Sequence, residues 1–418
     1  MVRIPVEDGR NNYSLQDREL HTVTDLNGMV STAAIFRANG QIDIDEDDQG
    51  RGYVEGGFEA GTTPSAHFIK VNGVNHPADF LSLSMSTAMY HFENIKAFYD
   101  GFEANGTMTF PREVWINLKI IAHKDHQTGQ AVNNAEFVPS FDVFWINSFT
   151  DNTIPLSFNG GVLAHEYLHS IFNNILKEAA ARHLKNGTIS SKGFQDAHKL
   201  ADSLDAVNEW QGKSKITWDR LDLGSGGEGL IPGLSKAAGD NIKLANGFLF
   251  ASVNEGIADF FGYEYTKNES WIVASIPSQT NRVLNTSKQF LAASDVQQMR
   301  FVEAAKATDP SLRLDVHDIG SYYSHFLWTV ANDPSWGHEA ARRATLEFMK
   351  NYGDFLTVSK DKKYLSLGDL VRLFFKNRAP GPDLCQAVMK QFPMELGPGQ
   401  LGVPRYDCGM SDPTVVGP

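Results

Sequence analysis

Residues 160–184 read GGVLAHEYLHSIFNNILKEAAARHL and contain the motif HEYLH, which runs from His165 to His169. Apolar residues recur at helical spacing along this stretch and predict an amphipathic helix. They are Leu163, Tyr167, Ile171, Ile175 and Leu176. On that helix His165 and His169 lie one turn apart on the same face, the separation at which two imidazoles chelate one Zn²⁺. Glu166 lies about 100° further round the helix, where it can take a proton from a zinc-bound water.

A catalytic zinc site needs a third protein ligand. The extended motif HExxHxxGxxH is excluded because positions 172 and 175 are Phe172 and Ile175. Among the glutamates that follow the motif, the candidates within reach are Glu178, Glu209, Glu228, Glu255 and Glu264. Glu255 is favoured because it lies one helical turn before Asp259 in a largely apolar stretch. One of these two carboxylates can bind zinc while the other accepts the free N–H of a ligand histidine.

The motif HEYLH followed by NEGIAD at residues 254–259 resembles the two-helix zinc site of the gluzincins, the thermolysin and fungalysin group of metallopeptidases. The resemblance extends over residues 82–335. It implies an α+β, thermolysin-like zincin fold with a β-containing N-terminal lobe and a mostly helical C-terminal lobe. The zinc site is expected in the cleft between the lobes, and the first lobe is expected to carry an antiparallel sheet with the substrate edge strand.

The resemblance also implies roles for single residues. Zinc is expected to be held by His165, His169 and Glu255, with Asp259 orienting a ligand histidine and Glu166 acting as the general base. The segment NNAEF at 133–137 is similar to the family's edge strand, so Asn134 and Ala135 are expected to bind the substrate backbone. The segment VHDIGS at 316–321 resembles the one whose histidine stabilises the oxyanion, which is His317 here. The family's oxyanion tyrosine has no clear match, and the candidates are Tyr322 and Tyr323.

The chain is expected to divide into four segments: a β-rich N-terminal segment (1–80), the N-terminal lobe with the edge strand and the HExxH helix (81–182), an insertion or lid (183–245) and a helical C-terminal lobe with the third zinc ligand (246–418). Within the first segment Asn39-Gly40 lies between two strand-like runs and predicts a hairpin. Residues 113–120 alternate in polarity and predict one strand.

An acidic run partly matches the sequence pattern of a calcium-binding loop. Asp43, Asp45 and Asp47 supply carboxylates, and a glycine stands at the sixth position counted from Asp45. The twelfth position is Gly56, where a bidentate glutamate is expected. A solvated acidic turn is the favoured interpretation, and Ca²⁺ is kept as a secondary cofactor candidate beside Zn²⁺.

Charge and composition exclude other classes. Lys and Arg number 37 against 50 Asp and Glu, a net charge of −13, which argues against nucleic acid or an anionic membrane as partner. No run of 18 uncharged apolar residues occurs, so no transmembrane segment is expected. The N-terminus lacks the apolar region of a signal peptide.

The two cysteines, Cys385 and Cys408, are expected to form a disulfide that ties a tail rich in glycine and proline to a preceding helix. Disulfides are rare in the cytosol, so a secreted or otherwise exported location is expected, whether extracellular, periplasmic or surface-anchored.

The expected function is that of a zinc metalloendopeptidase acting on a peptide or protein substrate. An aminopeptidase of the same superfamily is one alternative; the nearest match to its amine-binding motif is HFEN at 91–94, whose Glu93 is interpreted as a helix-surface acid. A non-catalytic, zinc-stabilised binding or adhesion module is the other. It is disfavoured because Glu166 and His317 are both present.

Overall fold

The computed structural model describes residues 1–8, 11–46, 52–59, 61–106, 108–117, 119–122, 134–139, 141–147, 154–192, 194–195, 236–285, 316–359 and 367–391. Sheets dominate the N-terminal part of these residues and helices the later part, which confirms the α+β class.

The regular elements have the following bounds. The strands are β1 (Val2–Glu7), β2 (Tyr13–Arg18), β3 (Val23–Asp25), β4 (Val30–Ser31), β5 (Ala34–Ala38), β6 (Gln41–Glu46), β7 (Gly52–Glu59), β8 (Phe68–Val71), β9 (Val74–Pro77), β10 (Arg112–Ile116), β11 (Lys119–Ala122), β12 (Asn134–Val138) and β13 (Val143–Asn147). The helices are α1 (Phe80–Asp100), α2 (Gly160–Lys185), α3 (Lys236–Thr266), α4 (Val316–Asn332), α5 (Gly337–Ser359), α6 (Leu367–Phe374) and α7 (Pro382–Gln391). The helices predicted around the HEYLH motif and in the C-terminal segment are confirmed.

In the described part of the chain the strands form three sheets, in the orders β2-β1-β9-β8, β12-β13-β10-β5-β4-β3 and β11-β6-β7. The expectation of an antiparallel sheet is wrong for the second of these. Strands β5, β10 and β13 run parallel, and β12 is antiparallel to β13 at one end. The connection from β5 to β10 contains α1 and supplies the long crossover that two parallel strands require.

The hairpin predicted at Asn39-Gly40 does not form, because β5 and β6 belong to different sheets. Asn39 has a φ of 59° and Asn117 a φ of 56°, so both strands leave their sheet at a left-handed asparagine, a residue that tolerates this conformation. The predicted strand 113–120 therefore splits into β10 and β11. β5 pairs with β10 and β6 with β11 in one common register. The Asn117 Nδ2 donates to Asn39 Oδ1 over 2.8 Å and links the two breaks.

Aromatic packing fixes α1 and α2 against the six-stranded sheet. The Phe92 ring of α1 lies 5.0 Å from Phe144 of β13 and 6.3 Å from Tyr167 of α2, measured between ring centroids. Tyr99 of α1 stacks on Tyr167 at 5.2 Å. Burial of each such ring stabilises the fold by about 1.5–3 kcal/mol, so the helix that carries HEYLH has a fixed position over the sheet.

The chain splits into two compact units. The first contains residues 1–174, 202–214 and 258–284, and the second contains residues 175–201, 215–257 and 285–418. In the second unit α4, α5 and α6 share an aromatic core, in which Phe326 lies 5.1 Å from Phe374 and Tyr323 lies 5.5 Å from Phe348.

The acidic run that was considered as a calcium loop lies only partly within the described residues. Asp43 and Asp45 belong to strand β6, and Asp47 lies outside the described residues, so the calcium loop stays a prediction. Among the described helices none is long and apolar enough to cross a membrane.

Candidate metal centre

The start of α2 is fixed by the side chain of Asn159. Its Oδ1 accepts hydrogen bonds from the backbone N–H groups of Gly161 (3.0 Å) and Val162 (3.3 Å), as a helix-capping side chain does. Its Nδ2 donates to the Trp271 carbonyl over 2.8 Å and to Ser275 Oγ over 3.0 Å. The first turn of the helix is therefore attached to the segment that follows α3.

His165, Glu166 and His169 form a buried group in the first ten residues of α2, with exposed fractions of 3%, 6% and 4%. Their ligand atoms all lie within 4.8 Å of one another. The Nε2 atoms of the two histidines are 3.0 Å apart, and their rings are nearly perpendicular at 88°. Two nitrogens bound tetrahedrally to Zn²⁺ at about 2.0–2.1 Å would be about 3.3 Å apart, so this pair fits the ion.

The ring of His165 is oriented by Asp259. The His165 Nδ1 lies 3.1 Å from Asp259 Oδ1, which leaves Nε2 directed at His169. Burial by itself would raise the pKa of Asp259, but the Arg282 guanidinium and the hydrogen bond with His165 outweigh it and hold the pKa below the ordinary value. A charged carboxylate on the outer nitrogen fixes the tautomer that binds a metal through Nε2.

Arg282 was missed by the sequence reasoning. Its Nε lies 3.0 Å from Asp259 Oδ2, and its Nη2 lies 2.5 Å from Asp259 Oδ1 and 3.5 Å from His165 Nδ1. It ends a 3₁₀ turn, Thr280–Arg282, that no motif marks. The available signal was indirect: a carboxylate in an apolar helix needs a counter-charge when it is buried.

Glu166 is held by the strand expected to bind substrate. Its Oε2 accepts a 3.0 Å hydrogen bond from the backbone N–H of Phe137 in β12, and its Oε1 lies 3.9 Å from His165 Nε2. Asn134 and Ala135 precede Phe137 in the same strand, at the end of the described sheet. The first is half-buried and the second is buried. The structure thus brings the candidate base and the candidate substrate strand together.

Glu255 and His317 meet in the second unit. Helices α3 and α4 approach closely there, because a Cβ placed on Gly256 would lie 2.3 Å from the Gly320 carbonyl oxygen. The His317 Nε2 lies 3.2 Å from Glu255 Oε2, and both residues are buried. Glu255 and Asp259 lie one turn apart on α3.

The remaining candidates differ in their surroundings. Tyr323 is fully buried beside Phe326 and Phe348, and burial raises its pKa well above the ordinary value. Tyr322 keeps partial exposure. Cys385 is buried in α7, and Cys408 lies outside the described residues, so their pairing stays a prediction.

The interpretation of Glu93 as a helix-surface acid is wrong. Glu93 is buried, and its carboxylate accepts hydrogen bonds from His21 N (2.8 Å), Thr22 N (2.9 Å) and Thr22 Oγ1 (2.7 Å). It secures the loop between β2 and β3 to α1. A carboxylate engaged in this way is poorly suited to binding the amine of an aminopeptidase substrate.

Compared with known proteins, the chain matches no protein-family model and no curated protein sequence. What the chain does has to be inferred from the residues of the site.

Proposed function

We propose that the protein is a zinc-dependent endopeptidase. The observation that carries this proposal is the buried group of His165, Glu166 and His169, in which two imidazole nitrogens face each other over 3.0 Å. The carboxylate beside them is held by a backbone N–H of β12. A metal-stabilised binding module needs the two histidines but has no use for a carboxylate oriented in this way.

Glu255 is proposed as the third ligand on the sequence pattern NEGIAD and on helix periodicity. Asp259, one turn further along α3, contacts His165, and residues one turn apart share a helix face. The contact of His317 with Glu255 has the form of a side chain that orients a ligand carboxylate, and His317 also remains the proposed donor to the oxyanion.

Zinc, when bound, polarises the scissile carbonyl and lowers the pKa of water. The residues of this chain supply the rest of the chemistry. Glu166 accepts a proton from the attacking water at Oε1, because Oε2 is occupied by the N–H of Phe137. It then transfers that proton to the nitrogen of the leaving amine. Asn134 and Ala135 align the substrate backbone as an added strand, and His317 donates to the oxyanion.

The test uses the purified full-length chain loaded with Zn²⁺ and two versions of an internally quenched fluorescent peptide, one with a free and one with an acetylated N-terminus. We expect both to be cleaved internally, cleavage to stop with a chelator and to return with Zn²⁺. Cleavage of only the free peptide, from its N-terminus, would indicate an aminopeptidase. Zinc binding without hydrolysis of either would contradict the proposal and leave a binding module.

We propose an exported location on the expected Cys385–Cys408 disulfide, because such bonds persist in oxidising compartments.

A further inference from the structure

The indole of Trp271 lies against the metal ligand His165. Trp271 begins a 3₁₀ turn after α3 and is buried. Its ring centroid is 5.8 Å from that of His165, with the planes inclined at 45°. Asp259 sets which nitrogen of His165 carries the proton, and the indole limits how the imidazole can rotate about its side-chain bonds.

Two glycines make room for this indole. A Cβ on Gly161 of α2 would lie 2.6 Å from the Trp271 ring, and a Cβ on Gly262 of α3 would lie 2.7 Å from it. The ring is thus clamped between the backbones of two helices, and larger residues at these positions would displace it. The backbone of Trp271 is fixed as well, because its carbonyl accepts from Asn159 at the start of α2.

The segment before Trp271 is tied to the first hairpin of the chain by four residues, which we call the hairpin anchor: Glu7, Asn11, Asn268 and Ser270. Asn268 Nδ2 donates to Glu7 Oε1 and, over 2.6 Å, to Asn11 Oδ1. Asn11 Nδ2 donates to Ser270 Oγ over 3.0 Å, and Ser270 N donates to Asn268 Oδ1 over 3.0 Å. Glu7 and Asn268 are 261 residues apart in sequence.

The contacts therefore form a continuous path from β1 to the metal site, through Asn268, Ser270 and the indole of Trp271. We propose that Trp271 is a positioning residue for His165 and that the hairpin anchor holds Trp271 in place. The N-terminal hairpin would then help to hold the metal site in its geometry. This inference rests on the proposed zinc site but not on the peptidase activity.

The first test measures Zn²⁺ affinity of the full chain by competition with a chromophoric chelator, together with the visible absorption of the Co²⁺-substituted protein. Trp271→Ala should weaken Zn²⁺ binding roughly 10–100-fold and alter the Co²⁺ spectrum, as the loss of a residue that orients a ligand does. Trp271→Phe should recover most of both, because an aromatic ring still limits rotation of His165.

Trp115→Ala is the matched control. Trp115 is an equally buried tryptophan of the same unit, located in β10, whose ring contacts Phe141. We expect this variant to lose stability while keeping Zn²⁺ affinity and the Co²⁺ spectrum. If Trp271→Ala also keeps both, Trp271 only fills space and the proposal is wrong.

Asn11→Ala tests the hairpin anchor without changing a residue of the metal site. It also keeps the proposal testable if Trp271→Ala does not fold. It removes the contacts to Ser270 and Asn268 and should weaken Zn²⁺ binding several-fold. Arg3→Ala, which removes an exposed ion pair with Asp17 on the same hairpin, is its control and should bind Zn²⁺ normally. Unchanged affinity in Asn11→Ala would overturn the anchor's role. If the variants change Zn²⁺ binding as expected but the unmodified protein does not hydrolyse peptides, the proposed function is wrong and this inference still holds.

Discussion

At the scale of single residues, Glu166 is the proposed general base, a role that the two histidines, as proposed zinc ligands, cannot fill. Glu166→Gln keeps the shape of the side chain and the hydrogen bond from Phe137 but removes the proposed base. Peptide hydrolysis should fall by about 10²–10⁴-fold or more, while the bound zinc measured by metal analysis stays at one equivalent. Glu178→Gln, on the same helix outside the motif, should be fully active. Near wild-type hydrolysis in Glu166→Gln would remove Glu166 from the mechanism.

Glu255 and Asp259, which lie one turn apart on α3, should differ in their effect on the metal. Glu255→Ala removes a proposed ligand and should reduce Zn²⁺ affinity most strongly. Asp259→Ala removes the partner of His165 Nδ1 and should weaken binding by roughly 10–100-fold. Chelator competition measures both. If Glu255→Ala binds zinc as the unmodified protein does, the third ligand is another residue.

His91 makes the fold sensitive to acid at a position away from the proposed ligands. Burial lowers the pKa of His91 to about 4, and the hydrogen bond from Nε2 to the Phe158 carbonyl offsets this only in part. The other ring nitrogen, Nδ1, lies 3.1 Å from the Tyr265 hydroxyl. Between the ordinary value near 6.5 and 4, the unfolded chain binds a proton that the folded chain does not. Stability should therefore fall by about 3 kcal/mol as pH drops through this window.

Urea unfolding at several pH values, compared between the unmodified protein and His91→Gln, isolates this contribution. The pH slope of the free energy of unfolding should be smaller in the variant, because the neutral amide does not titrate. Equal slopes between pH 4 and 6.5 would show that His91 is not the group responsible.

At the scale of elements, the crossing of α3 and α4 depends on Gly256 and Gly320. Gly256→Ala places a methyl group 2.3 Å from a carbonyl oxygen of the facing backbone, which cannot move away as a side-chain tip can. We expect a loss of about 1–3 kcal/mol or more in urea unfolding. Gly353→Ala is the control. Gly353 also lies inside a helix, but a Cβ placed there would lie 3.4 Å from the tip of the Leu176 side chain, which can move. This variant should change stability by at most about 1 kcal/mol.

Element type followed from local pattern more readily than element partners did. The amphipathic periodicity around Tyr167 identifies a helix correctly. The alternation of residues 113–120 identifies extended chain but not the break at Asn117 that divides it into two strands. The pairing of β5 with β10, and of β6 with β11, could not be derived in this way, because it depends on neighbours supplied by distant parts of the chain. Asn-Gly between two strands is typical of a hairpin, yet here a left-handed Asn39 redirects one strand into another sheet.

At the scale of the whole molecule, the expected disulfide between Cys385 and Cys408 would tie α7 to the C-terminal tail. The cysteines of the oxidised protein, titrated after denaturation without reductant, should show no free thiol. Reduction should lower stability by about 3 kcal/mol, as closure of a loop of this size does in the chain-entropy model. Two free thiols would contradict the pairing of Cys385 with Cys408 and remove the main support for export.

The sequence by itself determined which residues form the centre of the candidate metal site. His165, Glu166 and His169 lie within five residues of one helix, so the helical repeat alone sets their relative positions. Only the tertiary structure decided what holds them in place. Arg282 and Trp271, like the backbone N–H of Phe137, reach the site through long-range contacts. Such contacts follow from packing, which leaves no periodic trace in the sequence.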